Sequence, residues 1–277
     1  MKQIDLPSGQ RVAALGQGTW NMGDDPARRA EEIAALRLGI DLGLTLIDTA
    51  EMYGDGRSET LVGEAIAGRR DEVFLVTKVY PHHASRRAMH AACTNSLRRL
   101  RVETIDLYLL HWPGDVPLDE TVQAFEALQR EGKIRHWGVS NFELKLMQSL
   151  QAIPGGSAAQ TNQLLYHLAK RGIEWDLLPA LRELRMPVMA YSPFDQGRLP
   201  RTRALIDFAK ASAMTPAQVA IAWLLAQDGV IAIPKAGHRE RVRENTGALG
   251  HPLTATQMEQ LDRVFAPPKG PSRLAMI

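Results

Sequence analysis

The stretch Val73-Phe74-Leu75-Val76-Thr77-Lys78 is short, apolar and β-branched until it stops on a lysine. It reads as a strand, and the longer amphipathic segment 85–100 that follows reads as a helix, so together they make one βα unit. Moving outward in both directions, the same alternation recurs. Strand-like runs fall at 14–15, 44–47, 73–77, 105–110, 134–139, 159–162, 188–190 and 230–233. Helical periodicity fits 26–42, 58–67, 85–100, 118–131, 143–150, 175–184, 216–226 and 239–248. Ser85 and Thr215 are placed to cap helices, with Pro216 at a first helical position. Eight successive βα units predict an α/β protein of the (β/α)8 TIM-barrel type.

The length supports this reading, because 277 residues suit one such barrel, which takes roughly 250 residues as a unit. A single domain spanning 1–277 is expected. Two pieces fall outside the repeat. A β-hairpin over 4–13, turning at Ser8-Gly9, is expected to cap the barrel floor, and an extra helix is expected over 254–265. In the tail, 266–277, Pro267, Pro268, Gly270 and Pro271 forbid continued helix and predict an irregular end.

Composition bounds the class. With 45% hydrophobic and 23% charged residues the chain has ample material for a globular core. A net charge of +2 creates no general field that would draw it to nucleic acid or an anionic membrane. The basic stretch Arg86, Arg87, Arg98, Arg99 and Arg101 lacks stacking aromatics and is followed by Glu103 and Asp106, so it reads as a solvated helix face. Cys93 is the sole cysteine, which rules out an intrachain disulfide framework and reads as an inert buried thiol. The opening residues lack a signal-peptide core, and no run of about 18 apolar residues occurs. A cytoplasmic location and no membrane partner are expected. His82, His83 and His90 lack carboxylates or cysteines at ligand spacing, so no metal is expected. Gly155-Gly156-Ser157 reads as a flexible connection.

Barrels of this kind gather their functional groups where strands end and βα loops begin. Three apolar strands here finish in ionisable residues that are expensive to bury alone: Asp48, Lys78 and His111. Tyr53 follows Asp48 closely. In a barrel all four converge on the mouth, where Asp48 can neutralise Lys78 while the ammonium faces the phenol. Such a group suits hydride delivery to a carbonyl, because the oxygen needs both a proton and hydrogen bonds as negative charge develops. Tyr53 is the expected acid, its pKa lowered by Lys78, and His111 is expected to orient the oxygen.

At these residues the sequence resembles the aldo-keto reductases, with the family's motifs in order along nearly the whole chain. The segments are Leu15-Gly16-Gln17-Gly18-Thr19-Trp20, Ile47-Asp48-Thr49-Ala50-Glu51-Met52-Tyr53-Gly54, Thr77-Lys78, Leu110-His111-Trp112-Pro113, Gly138-Val139-Ser140-Asn141-Phe142, Asn162-Gln163, Tyr191-Ser192-Pro193 and Ile233-Pro234-Lys235, leading to Arg241-Val242-Arg243-Glu244-Asn245. The resemblance implies a catalytic tetrad of Asp48, Tyr53, Lys78 and His111. It implies NADPH or NADP+ bound without a glycine-rich Rossmann turn. Ser140, Asn141 and Gln163 match positions that hold the carboxamide, and Tyr191 matches the ring that stacks on the nicotinamide. Ser192 and Pro193 match the pyrophosphate loop. Lys235 and Arg241 match the grip on the 2′-phosphate, and Glu244 and Asn245 match adenine contacts. Gly18, Thr19, Trp20 and Asp48 complete the implied cofactor set. Ala236 departs from the family, where a hydroxyl residue is common, and removes one phosphate hydrogen bond.

Within the family, Val76-Thr77-Lys78-Val79-Tyr80-Pro81, Asn162-Gln163-Leu164-Leu165-Tyr166-His167 and Pro267-Pro268-Lys269-Gly270 are similar to a bacterial subgroup associated with methylglyoxal and small aldehydes. Trp20, Tyr53, Tyr80, His111 and Trp112 are expected to line the pocket of a monomeric enzyme that takes small carbonyl substrates. Two other classes stay open: an NADPH-binding regulatory subunit with little turnover, and a metal-dependent barrel hydrolase.

Overall fold

The apolar runs line up side by side in the computed structural model, which describes residues 2–277. A hairpin of β1 (Gln3–Asp5) and β2 (Arg11–Ala13) comes first. The sheet strands follow as β3 (Gln17–Gly18), β4 (Leu46–Asp48), β5 (Phe74–Val79), β6 (Ile105–Leu110), β7 (Ile134–Ser140), β8 (Asn162–Leu165), β9 (Val188–Tyr191) and β10 (Val230–Ala232). All seven pairings along this eight-stranded sheet are parallel and join strands consecutive in sequence. The sheet then closes on itself. Leu15 bridges Ala232 and Gly18 bridges Lys235, with the Gly16 and Gly18 amides donating to the Ala232 and Pro234 carbonyls at 2.8 and 3.0 Å. The expected (β/α)8 barrel is therefore the fold, with its predicted hairpin and additional helices.

The helices are α1 (Arg29–Asp41), α2 (Arg57–Ala65), α3 (Arg86–Leu100), α4 (Leu118–Arg130), α5 (Leu144–Ala152), α6 (Leu177–Glu183), α7 (Arg203–Ala211), α8 (Pro216–Ala226), α9 (Arg239–Gly247) and α10 (Ala255–Val264). Thr215 caps α8 in a reciprocal capping box with Gln218, and Pro216 sits in its first turn. Thr254 and Gln257 repeat the device at α10. Ser85 stands at the N-cap position of α3 with extended backbone, but its side chain makes no capping hydrogen bond.

Two apolar regions hold the layers together. Leu46, Val76, Leu107, Leu109, Met189, Ile231 and Ile233 fill the barrel interior together with Ile4, Leu6 and Val12 of the hairpin. The hairpin thus plugs the floor, and the Ser8 amide fixes it there by donating to Gln160 just before β8. The larger region lies between strands and helices and includes Tyr108, Trp137, Phe125 and Trp223. Cys93 is buried in it, and burial pushes its thiol up to about 12, as an inert structural cysteine requires.

Three local expectations need correction. The first barrel strand lies at Gln17–Gly18, two residues beyond 14–15, although Leu15 still takes part in the seam. The sixth lies at Asn162–Leu165, starting where the predicted run ends. Helix α7 was not anticipated. The tail after α10 has no regular secondary structure, and Leu274 packs back against the outer core.

Candidate active site

Asp48 ends β4, Lys78 is the penultimate residue of β5, and His111 follows β6 directly. Parallel register sets these strand ends side by side at one rim. The Lys78 ammonium is fully buried and donates to Asp48 Oδ2 at 2.8 Å, to the Thr49 carbonyl at 2.8 Å and to the Tyr53 hydroxyl at 3.2 Å. Tyr53 reaches this position because Gly54, Asp55 and Gly56 all adopt left-handed backbone immediately after it. At Gly54 a side chain is excluded twice, by φ of 57° and by Asp24 Oδ1, which would stand 2.4 Å from an added Cβ. The His111 ring lies edge-on to Tyr53, with centroids 5.8 Å apart.

The charges are arranged so that each buried ion has a partner. Burial works against the Lys78 ammonium, but Asp48 and Tyr53 outweigh it and hold its pKa above the ordinary lysine value. Burial is also the largest influence on Tyr53. It raises the phenol pKa, with the Lys78 charge pulling down and Asp48 pushing up. The expected lowering by Lys78 is therefore reversed: the cation is already neutralised by Asp48, and loss of water costs a phenolate more than the nearby ammonium returns. Burial, aided by Lys78, pushes His111 down to about 2, so its imidazole is neutral at physiological pH. Its Nδ1 is buried without a hydrogen-bond partner.

Behind the mouth, two acids that the sequence reading did not single out brace these elements. Glu59 of α2 is wholly buried; it accepts the Thr77 hydroxyl at 2.6 Å, beside Lys78, and the Arg99 guanidinium of α3 at 2.6 Å. Arg99 also packs against Gly56, where an added Cβ would meet its Cδ and Nε at 2.4 Å. One ion pair thus supports both the lysine strand and the tyrosine turn. Glu51, buried within the tyrosine motif, accepts the Tyr80 amide at 2.7 Å and lies 3.0 Å from His83 Nδ1. Burial is their common feature, and sequence alone does not reveal which acids are buried.

The residues expected at the nicotinamide end come together. Gln163 donates its amide to Asp48 Oδ1 at 2.8 Å. The Ser140 hydroxyl donates to the Gln163 carbonyl at 2.9 Å, and Asn141 Nδ2 donates to Ser140 Oγ at 3.1 Å and to the His111 carbonyl at 3.1 Å. The Tyr191 hydroxyl donates to Asn141 Oδ1 at 3.0 Å. Burial raises the Tyr191 phenol pKa, partly offset by the backbone of Ile277. Asn141 and Ser192 both have positive φ, 60° and 49°, at the ends of β7 and β9. Backbone in this sparsely populated region at two strand ends is characteristic of ligand-holding loops. Thr19 donates to the Asp48 carbonyl at 2.9 Å and so secures the first loop to β4.

At the opposite end, Lys235 follows the seam and Arg241 lies on α9. Burial, then the charges of Arg28 and Arg241, lowers the Lys235 pKa, so these cations share one neighbourhood. Asn245 is buried and Glu244 half-buried on the same helix. The arrangement fits a dinucleotide: a ring beside fixed amides at one end and incompletely neutralised cations at the other. Gly18 belongs to the seam, where an added Cβ would stand 2.7 Å from the Ile233 carbonyl. Pro193 is buried in the loop after β9.

The expected pocket aromatics are only partly united. Tyr80 and Trp112 meet edge to face with centroids 5.8 Å apart, and Trp112 lies 4.8 Å from His111. Trp20 stands apart from this chain of rings, 41% exposed. Among the described residues no group of three or more His, Cys, Asp or Glu side chains is arranged to hold a metal ion. Among the same described residues no helix is long and apolar enough to cross a membrane.

Comparison with known proteins agrees with this architecture over almost the full length. A profile described as the Aldo/keto reductase family matches residues 14–266. The methylglyoxal reductase YeaE of Escherichia coli is 49% identical, the match covering 100% of this chain and 99% of that protein. A 9,11-endoperoxide prostaglandin H2 reductase of Trypanosoma cruzi is 32% identical over 94% of this chain and 90% of its own. Among solved structures, an aldo/keto reductase of Klebsiella pneumoniae in complex with NADP and acetate superposes with a TM-score of 0.97 at 51% identity, covering 100% of this chain and 99% of that one. With the ordered motifs, the closed barrel and full-length relatives in agreement, the chain belongs to the aldo/keto reductase family.

Proposed function

We propose that the protein is an NADPH-dependent oxidoreductase that reduces small aldehydes or ketones, methylglyoxal among them, to alcohols. The observation that carries this reading is the buried Lys78 ammonium, placed between Asp48 Oδ2 at 2.8 Å and the Tyr53 hydroxyl at 3.2 Å at the rim of the barrel. The E. coli relative is a methylglyoxal reductase, and the K. pneumoniae structure contains NADP. Both support the choice of substrate class and cofactor.

A bound reduced nicotinamide supplies the hydride. The chain's own residues do the rest. Tyr53 holds its proton firmly through the neutral range and gives it to the carbonyl oxygen only as negative charge builds there, and Lys78 then stabilises the phenolate left behind. Asp48 keeps the lysine charged. His111, neutral, offers a hydrogen bond to the same oxygen without adding charge. Gln163, Asn141 and Ser140 hold the carboxamide, with Tyr191 against the ring. Ser192 and Pro193 adjoin the pyrophosphate, and Glu244 and Asn245 adjoin the adenine. Lys235 and Arg241 bind the 2′-phosphate, Arg through a planar fork and Lys as a point charge. Gly18, Thr19 and Trp20 form the near wall, and Trp20, Tyr80 and Trp112 keep water from the reacting carbon. We place this activity in one barrel domain over 1–277, with 266–277 as its tail, working as a cytoplasmic monomer.

The test is NADPH consumption with methylglyoxal, aromatic aldehydes, sugars and ketosteroids, repeated with NADH. Turnover of methylglyoxal and small aldehydes with a preference for NADPH is expected. Tight NADPH binding without turnover of any carbonyl favours the regulatory-subunit alternative and overturns the enzyme reading.

A further inference from the structure

Arg28 closes the short turn Pro26–Arg28 that leads into α1, whereas Lys235 follows β10 at the other end of the chain. The seam brings them together. A Cβ placed on Gly237 would stand 3.1 Å from Lys235 Nζ, 3.2 Å from Arg28 Nη2 and 3.4 Å from Glu32 Oε1, so the two cationic tips and one carboxylate oxygen converge on the spot that the glycine leaves without a side chain. Arg28 also exerts the largest electrostatic effect on Lys235, with Glu32 opposing it, Arg241 adding to it and Asp24 opposing it weakly.

The nearby carboxylates do not neutralise this group. Glu32 is 3.8 Å from Arg28, and its second oxygen accepts the Gly23 amide at 2.9 Å. Glu31 is engaged by Arg239 at 3.0 Å, and Asp24 by Arg57 at 3.0 Å. Lys235 and Arg241 belong to no ion pair among the described residues. Three cations gathered around one loosely paired carboxylate repel one another unless an anion completes the set. Position 236, with no hydroxyl to give, leaves that anion short of a donor on the α9 side.

We propose that Arg28 is a third cationic contact for the 2′-phosphate of the cofactor, delivered across the seam from the β3–α1 connection, making good the contact that Ala236 cannot supply. The inference rests on the NADPH reading above and adds a residue that the matching motifs do not contain. It also assigns part of the cofactor preference to the opposite edge of the site from Lys235 and Arg241. With 42% of its side chain exposed, Arg28 has room to turn from Glu32 toward a phosphate.

Equilibrium binding separates the possibilities without recourse to turnover. Dissociation constants for NADPH, NADH and adenosine 2′,5′-bisphosphate are measured by calorimetry on the intact protein, on Arg28→Ala, Arg28→Lys and the double variant Arg28→Ala/Glu32→Gln, with each unliganded melting temperature as a folding control. Arg28→Ala is expected to weaken NADPH and the bisphosphate by about tenfold or more, the equivalent of one charged hydrogen bond, while NADH changes little. Arg28→Lys is expected to fall between the two. Equal loss for NADH and NADPH, no loss at all, or recovery in the double variant overturns the inference; recovery means that Arg28 only neutralises Glu32. If the unaltered protein binds NADH as tightly as NADPH, the cofactor reading itself fails. Selective loss in Arg28→Ala on top of an intact preference supports both.

Discussion

Gln163, on β8, donates its side-chain amide to Asp48 Oδ1 at 2.8 Å, while Lys78 engages the other oxygen of the same carboxylate at the same distance. Asp48 is thereby saturated on both sides. With its NH2 turned to the carboxylate, Gln163 keeps its carbonyl oxygen for another donor, which is the group a carboxamide offers. Gln163→Leu is expected to remove both contacts. Stability should fall by about 1–3 kcal/mol from the unsatisfied carboxylate oxygen, and NADPH affinity should fall with it. Denaturant melts and fluorescence titration measure the two; unchanged affinity refutes the assigned contact with the cofactor.

Tyr53→Phe removes the proton and leaves the ring. Turnover is expected to drop by about 10²–10⁴-fold, the usual contribution of a positioned acid, with NADPH binding unaltered. Because burial raises the Tyr53 pKa above 10.0, reductive kcat/KM in the unaltered protein should show no alkaline decline below that value. Near-normal turnover in the variant rules out the acid assignment.

Lys78→Met leaves the buried Asp48 carboxylate without its cation. A loss of about 3–5 kcal/mol in stability is expected, as for other broken buried pairs, together with loss of activity. Adding Asp48→Asn should restore part of the stability and none of the activity. Urea melts of the single and double variants decide the point, and strictly additive losses would falsify the coupling.

His111 predicts a direction for stability against pH. Its native pKa of about 2 lies below the ordinary 6.5, so above pH 6.5 neither native nor unfolded chain takes up this proton and stability is full. Below 6.5 the unfolded chain binds a proton that the native site refuses, and stability falls by about 1.4 kcal/mol per pH unit. His167, pushed down to about 4 by burial, steepens the upper part of that window. Melts at about pH 7.5 and about pH 5.5 should show the decline, and His111→Gln should flatten it; an unchanged slope in that variant assigns the dependence elsewhere.

Arg99→Met breaks the ion pair behind the mouth and leaves Glu59 buried without its cation, where burial, which already raises its pKa, drives it toward the neutral acid. The expected cost is about 3 kcal/mol, reduced in the double variant with Glu59→Gln. Activity should suffer less than in Lys78→Met, because the pair acts only through Thr77 and the turn at Gly56. Comparison of melting and kcat across the three proteins provides the check, and equal losses of kcat in Arg99→Met and Lys78→Met contradict this indirect role.

The barrel was legible because its signal is repetitive: eight apolar runs, each followed by helical periodicity, survive an error in any one of them. Errors fell where the local signal was weak. β8 begins at Asn162, whose polar neighbour Gln163 faces Asp48, so the residues that open this strand do not look like a strand. β3 is only two residues long and opens on Gln17, a polar residue whose amide is buried against the Leu36 and Leu44 carbonyls, so it carries little strand signal. Helix α7 lies between β9 and α8, in a connection for which α8 already supplies the helix that the βα repeat requires. Of the four proposed catalytic residues, Asp48, Lys78 and His111 were readable as ionisable residues at the ends of apolar runs, and Tyr53 by its place shortly after Asp48. The sign of the Tyr53 shift was not, since it depends on how much water the folded mouth excludes. Arg28 left no trace in sequence, as its neighbours at the seam lie some 200 residues away in the chain.

That seam also governs the order of assembly. A chain emerging from the ribosome can pair each parallel strand with the one just made, but the sheet remains an open ribbon with two raw edges until the segment carrying Ala232 and Lys235 appears. Only then can Leu15 and Gly18, made more than two hundred residues earlier, find their partners. Premature termination upstream of Ile231 therefore yields no smaller working version of this molecule, only a strip of exposed β edge for the quality-control machinery to remove.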